Sequence, residues 1–149
     1  MSDAVLFDVR DGGIAIITID RPDTRNCLSG EVRDGLRAAW NRFERDPALR
    51  VAILTGAGEK AFCAGGDLNE MVETGMQVPP RDMFPLPYDN IELSKPTIAA
   101  VNGVAFAGGW MIAQGCDLCV ASTNAKFAIT EVKVGRGSPW AAPLIHMIP

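Results

Sequence analysis

The 149-residue chain is long enough for one domain with a sizeable core, and 48% of its residues are hydrophobic. Its formal net charge is -4, which argues against general nucleic-acid binding because that function favours a basic surface. No apolar run is long enough to span a bilayer, and the start of the chain lacks a signal-peptide pattern, so we expect a cytoplasmic protein with no membrane partner.

The hydrophobic pattern predicts strands and helices that alternate along the chain. Two early strands, Val5–Val9 and Ile14–Ile19, flank a glycine turn and predict a hairpin. Ser29 is a candidate N-cap for a helix from Gly30 to Arg45. Further strands are predicted at 51–55, 97–101, 118–121 and 126–129, and further helices at 68–74, 90–93 and 108–115. This order predicts one α/β domain over residues 1–149, built from ββα units.

Two glycine-rich turns each follow a predicted strand. The first is Phe62–Leu68, with the sequence FCAGGDL, and the second is Asn102–Gly109, with the sequence NGVAFAGG. Glycines let a ligand approach the backbone closely and leave N–H groups accessible. Two such donors aimed at one point form an oxyanion hole, which stabilises an enolate or a tetrahedral intermediate. The alternative is that these glycines only permit tight turns.

The cysteine pattern gives little support for a metal site. Cys116 and Cys119 have the spacing of a redox or zinc pair. The chain has no second pair of this kind, and its one histidine is His146. We therefore expect no metal, and we expect Cys116 and Cys119 to pack in or beside a buried strand. Together with Cys27 and Cys63 they are expected to be free thiols.

The motifs and their spacing resemble those of the crotonase superfamily, the enoyl-CoA hydratase/isomerase group. The resemblance runs from about Val5 to Gly137. It rests on several segments together: RPDTRNCLS at 21–29, VAILTG at 51–56, KAFCAGGDL at 60–68, KPTIAAVNG at 95–103 and CD at 116–117. It implies an α/β crotonase-like spiral of ββα units, incomplete at the C-terminus because family members are considerably longer. It also implies an acyl-CoA thioester substrate, a homotrimer or hexamer, and no cofactor beyond the coenzyme A of the substrate.

The resemblance implies three catalytic groups. The backbone N–H groups of Gly66 and Gly108 would hold the thioester oxygen and stabilise the enolate. Glu131 matches one of two glutamates with which family hydratases place a water and transfer its proton. Met111 occupies the position of the other glutamate, and Pro139 replaces a family glycine. One carboxylate suffices to move a proton between carbons, so these residues favour a double-bond shift, whereas hydration is the family's commonest activity. The alternative for Glu131 is a surface or interchain salt bridge.

Coenzyme A and acyl binding are implied at two loops and a pocket. The candidate residues are Arg25, Cys27, Leu28, Ala64, Asp67, Leu68, Met111 and Trp140. Arg25 is suited to bind a phosphate, since guanidinium matches phosphate oxygens, or is a solvated surface charge. Asp67 and Asn69 are also candidate caps of the short helix that follows. Met111 is expected to line the acyl pocket or the core, and Trp140 to narrow the pocket.

Three other interpretations remain at this stage. Residues 55–61 fit a loose dinucleotide-binding pattern, but another glycine turn follows where a long helix is required. Cys63 or Ser138 as a hydrolase nucleophile would need a base, and the one histidine lies near the end of an apolar segment. A chain of this length is also compatible with an inactive fragment or a CoA-binding pseudoenzyme, which would expose an apolar face and aggregate or oligomerise.

Overall fold

The computed structural model describes residues 4–76, 80 and 82–147. In chain order its strands are β1 (Val5–Arg10), β2 (Ile14–Ile19), β3 (Val51–Gly56), β4 (Ala61–Cys63), β5 (Thr97–Val101), β6 (Val104–Phe106), β7 (Leu118–Ala121) and β8 (Lys126–Ala128). Its α-helices are α1 (Gly30–Arg45), α2 (Leu68–Glu73), α3 (Gly108–Gln114) and α4 (Leu144–Met147). Short 3-10 turns cover Pro22–Thr24, Glu131–Val134 and Pro139–Ala141.

The strands form two sheets. The first has the order β1-β2-β3-β5-β7 and the second the order β4-β6-β8. The hairpin of β1 and β2 is antiparallel, as predicted, and every other pairing is parallel. Gly12 and Gly13 turn the hairpin with φ values of 83° and 76°, which glycine adopts without strain. From β3 onward, each pair of successive strands therefore sends one strand to each sheet, and a helix follows the second strand in the β3-β4-α2 and β5-β6-α3 units.

Helix α1 has the bounds that its sequence predicts. The Ser29 hydroxyl accepts a hydrogen bond from the N–H of Val32 at 3.4 Å and caps the helix. The apolar stripe at helical spacing, Val32, Leu36, Trp40 and Phe43, is fully buried against the first sheet. Burial of each such side chain contributes roughly 1.5–3 kcal/mol, so this stripe anchors the helix.

Two elements differ from the prediction. Strands β4 and β6 overlap the two segments that are predicted only as glycine turns. The predicted helix at 90–93 is wrong, because Pro87 and Ile91 form a bridge there instead. The Asn90 side chain stabilises this turn, accepting from the N–H of Leu86 at 2.9 Å and donating to the carbonyl of Phe84 at 2.7 Å. Of the predicted loop over 75–87, residues 77–79 and 81 lie outside the described part.

Strand β7 forms one edge of the larger sheet. All four of its residues are exposed, with Leu118 at 62% and Val120 at 63% relative exposure. Cys116 is buried as expected, but Cys119 is exposed because the described residues cover neither face of the strand. None of the helices in the described part of the chain is both long and apolar enough to cross a membrane.

Candidate active site

The two glycine turns meet in the structure. A methyl group added at Gly66 would lie 3.9 Å from Cζ of Phe84, and one added at Gly108 would lie 3.4 Å from the same atom. Neither the Gly66 N–H nor the Gly108 N–H donates a hydrogen bond to another described residue. The turns therefore bring two unused backbone donors into one neighbourhood.

This meeting depends on the absence of side chains. A methyl group at Gly65 would lie 3.0 Å from the carbonyl oxygen of Phe106, and the φ of Gly65 is 102°. A methyl group at Gly109 would lie only 2.1 Å from the carbonyl oxygen of Cys63, so the start of α3 lies directly on β4. Ala107, the N-cap of α3, has φ 49° and ψ -124°, a conformation that costs about 1–3 kcal/mol in a non-glycine residue. Such strain is typical of functional sites.

The loop that carries Arg25, Cys27 and Leu28 pairs with the first glycine turn. The N–H of Ala64 donates to the Arg25 carbonyl at 3.0 Å, and the N–H of Leu28 donates to the Gly65 carbonyl at 2.8 Å. The Arg25 side chain is exposed and forms no ion pair with the described residues. The structure therefore brings together the two segments that the sequence analysis associates with CoA.

Asn26 holds this loop in place from inside the protein. Its side chain is fully buried and donates to the carbonyls of Ala57 at 3.0 Å and Ala61 at 2.8 Å. Its side-chain oxygen accepts from the N–H of Arg21 at 2.9 Å. Arg25 and Asn26 both have left-handed φ values, 55° and 56°, so the side chain stabilises a backbone turn that is otherwise unfavourable.

The Asp67 carboxylate caps α2, which confirms one of the two roles considered for it. It accepts from the N–H groups of Asn69 at 3.1 Å and Glu70 at 3.3 Å. It also accepts from the Cys27 thiol at 3.3 Å and from Arg21 at 3.4 Å. Burial opposes ionisation of Asp67, but the hydrogen bonds outweigh it and hold the pKa below its usual value. Burial is also the main reason that the pKa of Cys27 is raised.

Glu131 has one carboxylate oxygen bound and the other unused. The residue begins the 3-10 turn Glu131–Val134, and its Oε1 accepts from Nε1 of Trp140 at 2.6 Å. Its Oε2 is buried and has no hydrogen-bond partner among the described residues. The Trp140 ring packs edge-on against Trp110, with centroids 6.0 Å apart. Glu131 makes no ion pair with any described residue, so the salt-bridge alternative has no support within this chain.

An apolar groove of about 380 Å³ lies between α2 and the segment after Glu131. Its lining consists of Leu68, Met71, Val72, Gly75, Met76, Val134 and Arg136. Met71 connects the groove to the glycine turn, since a methyl group at Gly66 would lie 2.5 Å from its Cε. Of the residues predicted to bind substrate, Leu68 lines this groove, whereas Met111 and Trp140 do not. A second groove, of about 750 Å³, lies between α1 and residues 88–94 and includes none of the predicted site residues.

Sequence reasoning misses several residues that form this neighbourhood. Asn26 lies in the RNCLS motif quoted above. A polar residue between a loop and a helix is the sequence signal that could have identified it. Met71 lies on the predicted helix that follows the first glycine turn, and its helical spacing from that turn is a signal that its side chain faces the turn. Phe84 and Arg136 belong to segments without periodicity, so no sequence signal indicates that they lie near Gly66 and Met71.

The dinucleotide-binding interpretation and the choice of Cys63 as a nucleophile disagree with the structure. The segment after β3 enters β4 after a short turn, whereas a dinucleotide site requires a helix there. The Cys63 thiol is fully buried, which raises its pKa to about 12 and leaves it without thiolate character. Within the described ranges, no group of three potential ligands among His, Cys, Asp and Glu is placed to hold a metal ion.

The parallel ββα architecture and the paired glycine turns define an α/β fold of the crotonase type, and comparison with solved structures agrees. A probable enoyl-CoA hydratase/isomerase from Mycobacterium abscessus matches 97% of this chain and 55% of its own, with 42% identity and a TM-score of 0.81. An enoyl-CoA hydratase from Mycobacterium tuberculosis matches 97% of this chain and 60% of its own, with 38% identity and a TM-score of 0.80.

Sequence comparison gives the family. The model of the enoyl-CoA hydratase/isomerase family matches residues 10–145, and the chain belongs to this family. It is 43% identical to (E)-benzylidenesuccinyl-CoA hydratase of Thauera aromatica over 129 residues, which are 81% of this chain and 48% of the relative. It is 42% identical to carnitinyl-CoA dehydratase of Salmonella paratyphi B over 130 residues, which are 85% of this chain and 49% of the relative. The chain thus spans about half the length of the curated relatives it matches.

Proposed function

We propose that the protein catalyses hydration or dehydration at the C2–C3 double bond of an acyl-CoA thioester. The N–H groups of Gly66 and Gly108 hold the thioester oxygen, and Glu131 transfers the proton. The observation that supports this most directly is the pair of backbone donors at adjacent glycine turns that no described residue uses. Removing one such donor typically costs about 10²–10³ in rate, so the two together account for a large part of a catalytic effect.

In the proposed hydration, one carboxylate is enough to accept the proton of water and to return it to the substrate. Water adds to C3 while the Glu131 carboxylate accepts its proton, and the thioester becomes an enolate held by the two N–H groups. The enolate then takes a proton at C2 from the Glu131 carboxylic acid, which regenerates the carboxylate. The buried Oε2 of Glu131, which has no partner among the described residues, supports this role, because an oxygen already bound within the protein could not exchange a proton with substrate.

Coenzyme A is proposed to bind along the loop that carries Arg25, Cys27 and Leu28. The Arg25 side chain is exposed and forms no ion pair with the described residues. It is suited to bind a phosphate of the coenzyme A portion of the substrate. At the glycine turn the backbone of Ala64 and Leu68 flanks the thioester. Asp67 contributes indirectly, since its carboxylate is used to cap α2.

A double-bond shift is the second candidate, and one observation favours it. Met111 stands where family hydratases have a glutamate, so the site has one carboxylate to place a water. In a shift, Glu131 removes a proton from C2 of a 3-enoyl thioester and returns it to C4. Hydration remains the preferred proposal because two named relatives are a hydratase and a dehydratase.

The test compares substrates and variants in deuterated water. Purified protein is incubated with crotonyl-CoA and with a 3-enoyl-CoA, and the products are followed by mass spectrometry. Glu131→Gln is expected to lower turnover by about 10²–10⁴. The glutamine oxygen can still accept from Trp140, so the fold is expected to persist. Glu59→Gln, which changes an exposed glutamate, is the matched control. Full activity in Glu131→Gln, or no turnover by well-folded wild type, contradicts the proposal.

A further inference from the structure

A cationic side chain lies in the apolar groove beside the proposed thioester site. The Arg136 guanidinium donates to Sδ of Met71 at 3.1 Å and to the carbonyl of Met76 at 2.7 Å. Both acceptors are neutral, and Arg136 forms no ion pair with the residues that the structure describes. The remaining lining of the groove is apolar apart from backbone. The groove therefore holds one positive charge without a negative partner from the described chain.

The position of Arg136 relates it directly to the proposed chemistry. Its backbone N–H donates to the Glu131 carbonyl at 3.0 Å, so the two residues close one turn. The Met71 side chain lies against Gly66, and its Sδ accepts from the Arg136 guanidinium. An acyl chain that lies along Met71 would therefore have its thioester near Gly66 and its far end near Arg136.

A half-buried guanidinium selects against a purely hydrocarbon acyl group. Guanidinium stays charged under all ordinary conditions, so an apolar chain would displace its water without replacing the hydrogen bonds. A carboxylate would replace them with short, charge-assisted bonds, often two in parallel. A guanidinium also has more N–H donors than the two neutral acceptors use.

We propose that this site takes enoyl-CoA substrates whose acyl chain bears a carboxylate at the end away from the thioester, and that Arg136 is the residue that selects them. This inference rests on the proposed function, because it assigns the acyl end of the same site. Arg136 contacts the substrate carboxylate and takes no part in the proton transfer by Glu131.

The probes are 2-enoyl-CoA thioesters with a terminal carboxylate after one, two or three methylene groups, each paired with its methyl ester. The acid and its ester differ little in shape, so their comparison isolates the charge. For at least one length, kcat/KM of the acid is expected to exceed that of the ester on the order of 10- to 100-fold. Equal values at all three lengths would overturn the inference.

Variants connect the preference to one side chain. Arg136→Met is expected to lower kcat/KM for the acid at least about tenfold more than for the ester, which abolishes the preference for the acid. Lys133→Met removes an exposed charge from the same turn and is expected to keep the preference. If Arg136→Met does not fold, Arg136→Gln keeps a donor for the Met76 carbonyl and carries the same expectation. An equal loss for acid and ester would contradict a role in selection.

Calorimetry separates this inference from the proposed function. Wild type is titrated with a saturated acyl-CoA that bears the terminal carboxylate and with its methyl ester, neither of which requires turnover. Tighter binding of the acid supports the role of Arg136 even if no enoyl-CoA is hydrated. Turnover of crotonyl-CoA together with equal binding of acid and ester would leave the proposed function standing and refute the inference.

Discussion

Replacement of Asn26 by alanine is expected to destabilise the protein strongly. The change removes three hydrogen bonds of 2.8–3.0 Å that fasten the loop of Arg25 and Leu28 to the body of the protein. A buried acceptor left without a donor costs about 1–3 kcal/mol, and the Ala61 carbonyl is such an acceptor. The φ of 56° adds roughly 1–2 kcal/mol for alanine, which tolerates this region less well than asparagine. The expected loss is about 2–5 kcal/mol.

The assay is urea-induced unfolding followed by tryptophan fluorescence, with the free energy of unfolding from linear extrapolation. Asn26→Gly separates the two contributions, because glycine loses the hydrogen bonds but adopts positive φ without strain. It is expected to be about 1 kcal/mol more stable than Asn26→Ala. Asn41→Ala, on the exposed face of α1, is the matched control and should change stability little. A loss below about 1 kcal/mol for Asn26→Ala would refute the reasoning.

Two further predictions concern the backbone contact of α3 and the pH dependence of stability. Gly109→Ala places a methyl group 2.1 Å from the Cys63 carbonyl, so α3 must move away from β4, at a cost of about 3 kcal/mol or more in urea unfolding. Burial alone would raise the pKa of Asp117, but hydrogen bonds from Tyr88 and Thr97 outweigh it and lower the pKa from 3.8. The resulting stabilisation is complete above this unfolded value and is lost as pH falls through the lower folded value. Asp117→Asn should therefore destabilise the protein at pH 7, and the difference from wild type should narrow in acid.

Each of these predictions has its control. Gly137→Ala adds a methyl group that, apart from its chain neighbours, has no described residue within 4 Å, at a position without positive φ, so it should leave stability unchanged. A Gly109→Ala protein as stable as Gly137→Ala would contradict the close approach of α3 and β4. Asp34→Asn changes an exposed carboxylate on α1. If the gap between wild type and Asp117→Asn stays constant from neutral to acid pH, the hydrogen-bonded carboxylate is not the cause.

The elements with strong local signals are those that the sequence predicts well. Helix α1 has a capping serine and an apolar stripe of four residues, and both the bounds and the buried face are confirmed. Strands β4 and β6 have three residues each, too few to establish an alternation of apolar and polar positions. The segment at 90–93 was wrongly predicted as a helix because the Asn90 side chain binds its neighbours' backbone, which favours a turn over a helix.

The candidate site likewise contains residues that the sequence predicts and residues that it does not. The glycines that meet at Gly66 and Gly108 were identified from motifs, because close backbone approach requires a specific residue type. The position of Phe84 against both turns and of Arg136 against Met71 depends on long-range packing. No local pattern encodes such a contact, so only the three-dimensional structure brings Arg136 into the groove.

The ladder between residues 25–28 and 64–66 has a mechanical consequence for any ligand of this site. Its two hydrogen bonds join the loop proposed for the nucleotide end to the turn proposed for the reacting carbonyl. Binding of the distant, unreactive nucleotide portion of the ligand would thus restrict the thermal motion of the Gly66 amide. Under the proposed chemistry, a truncated thioester that lacks the nucleotide would be turned over with a lower kcat and would bind more weakly. The reason is that binding energy from the remote nucleotide would no longer hold the Gly66 amide in position.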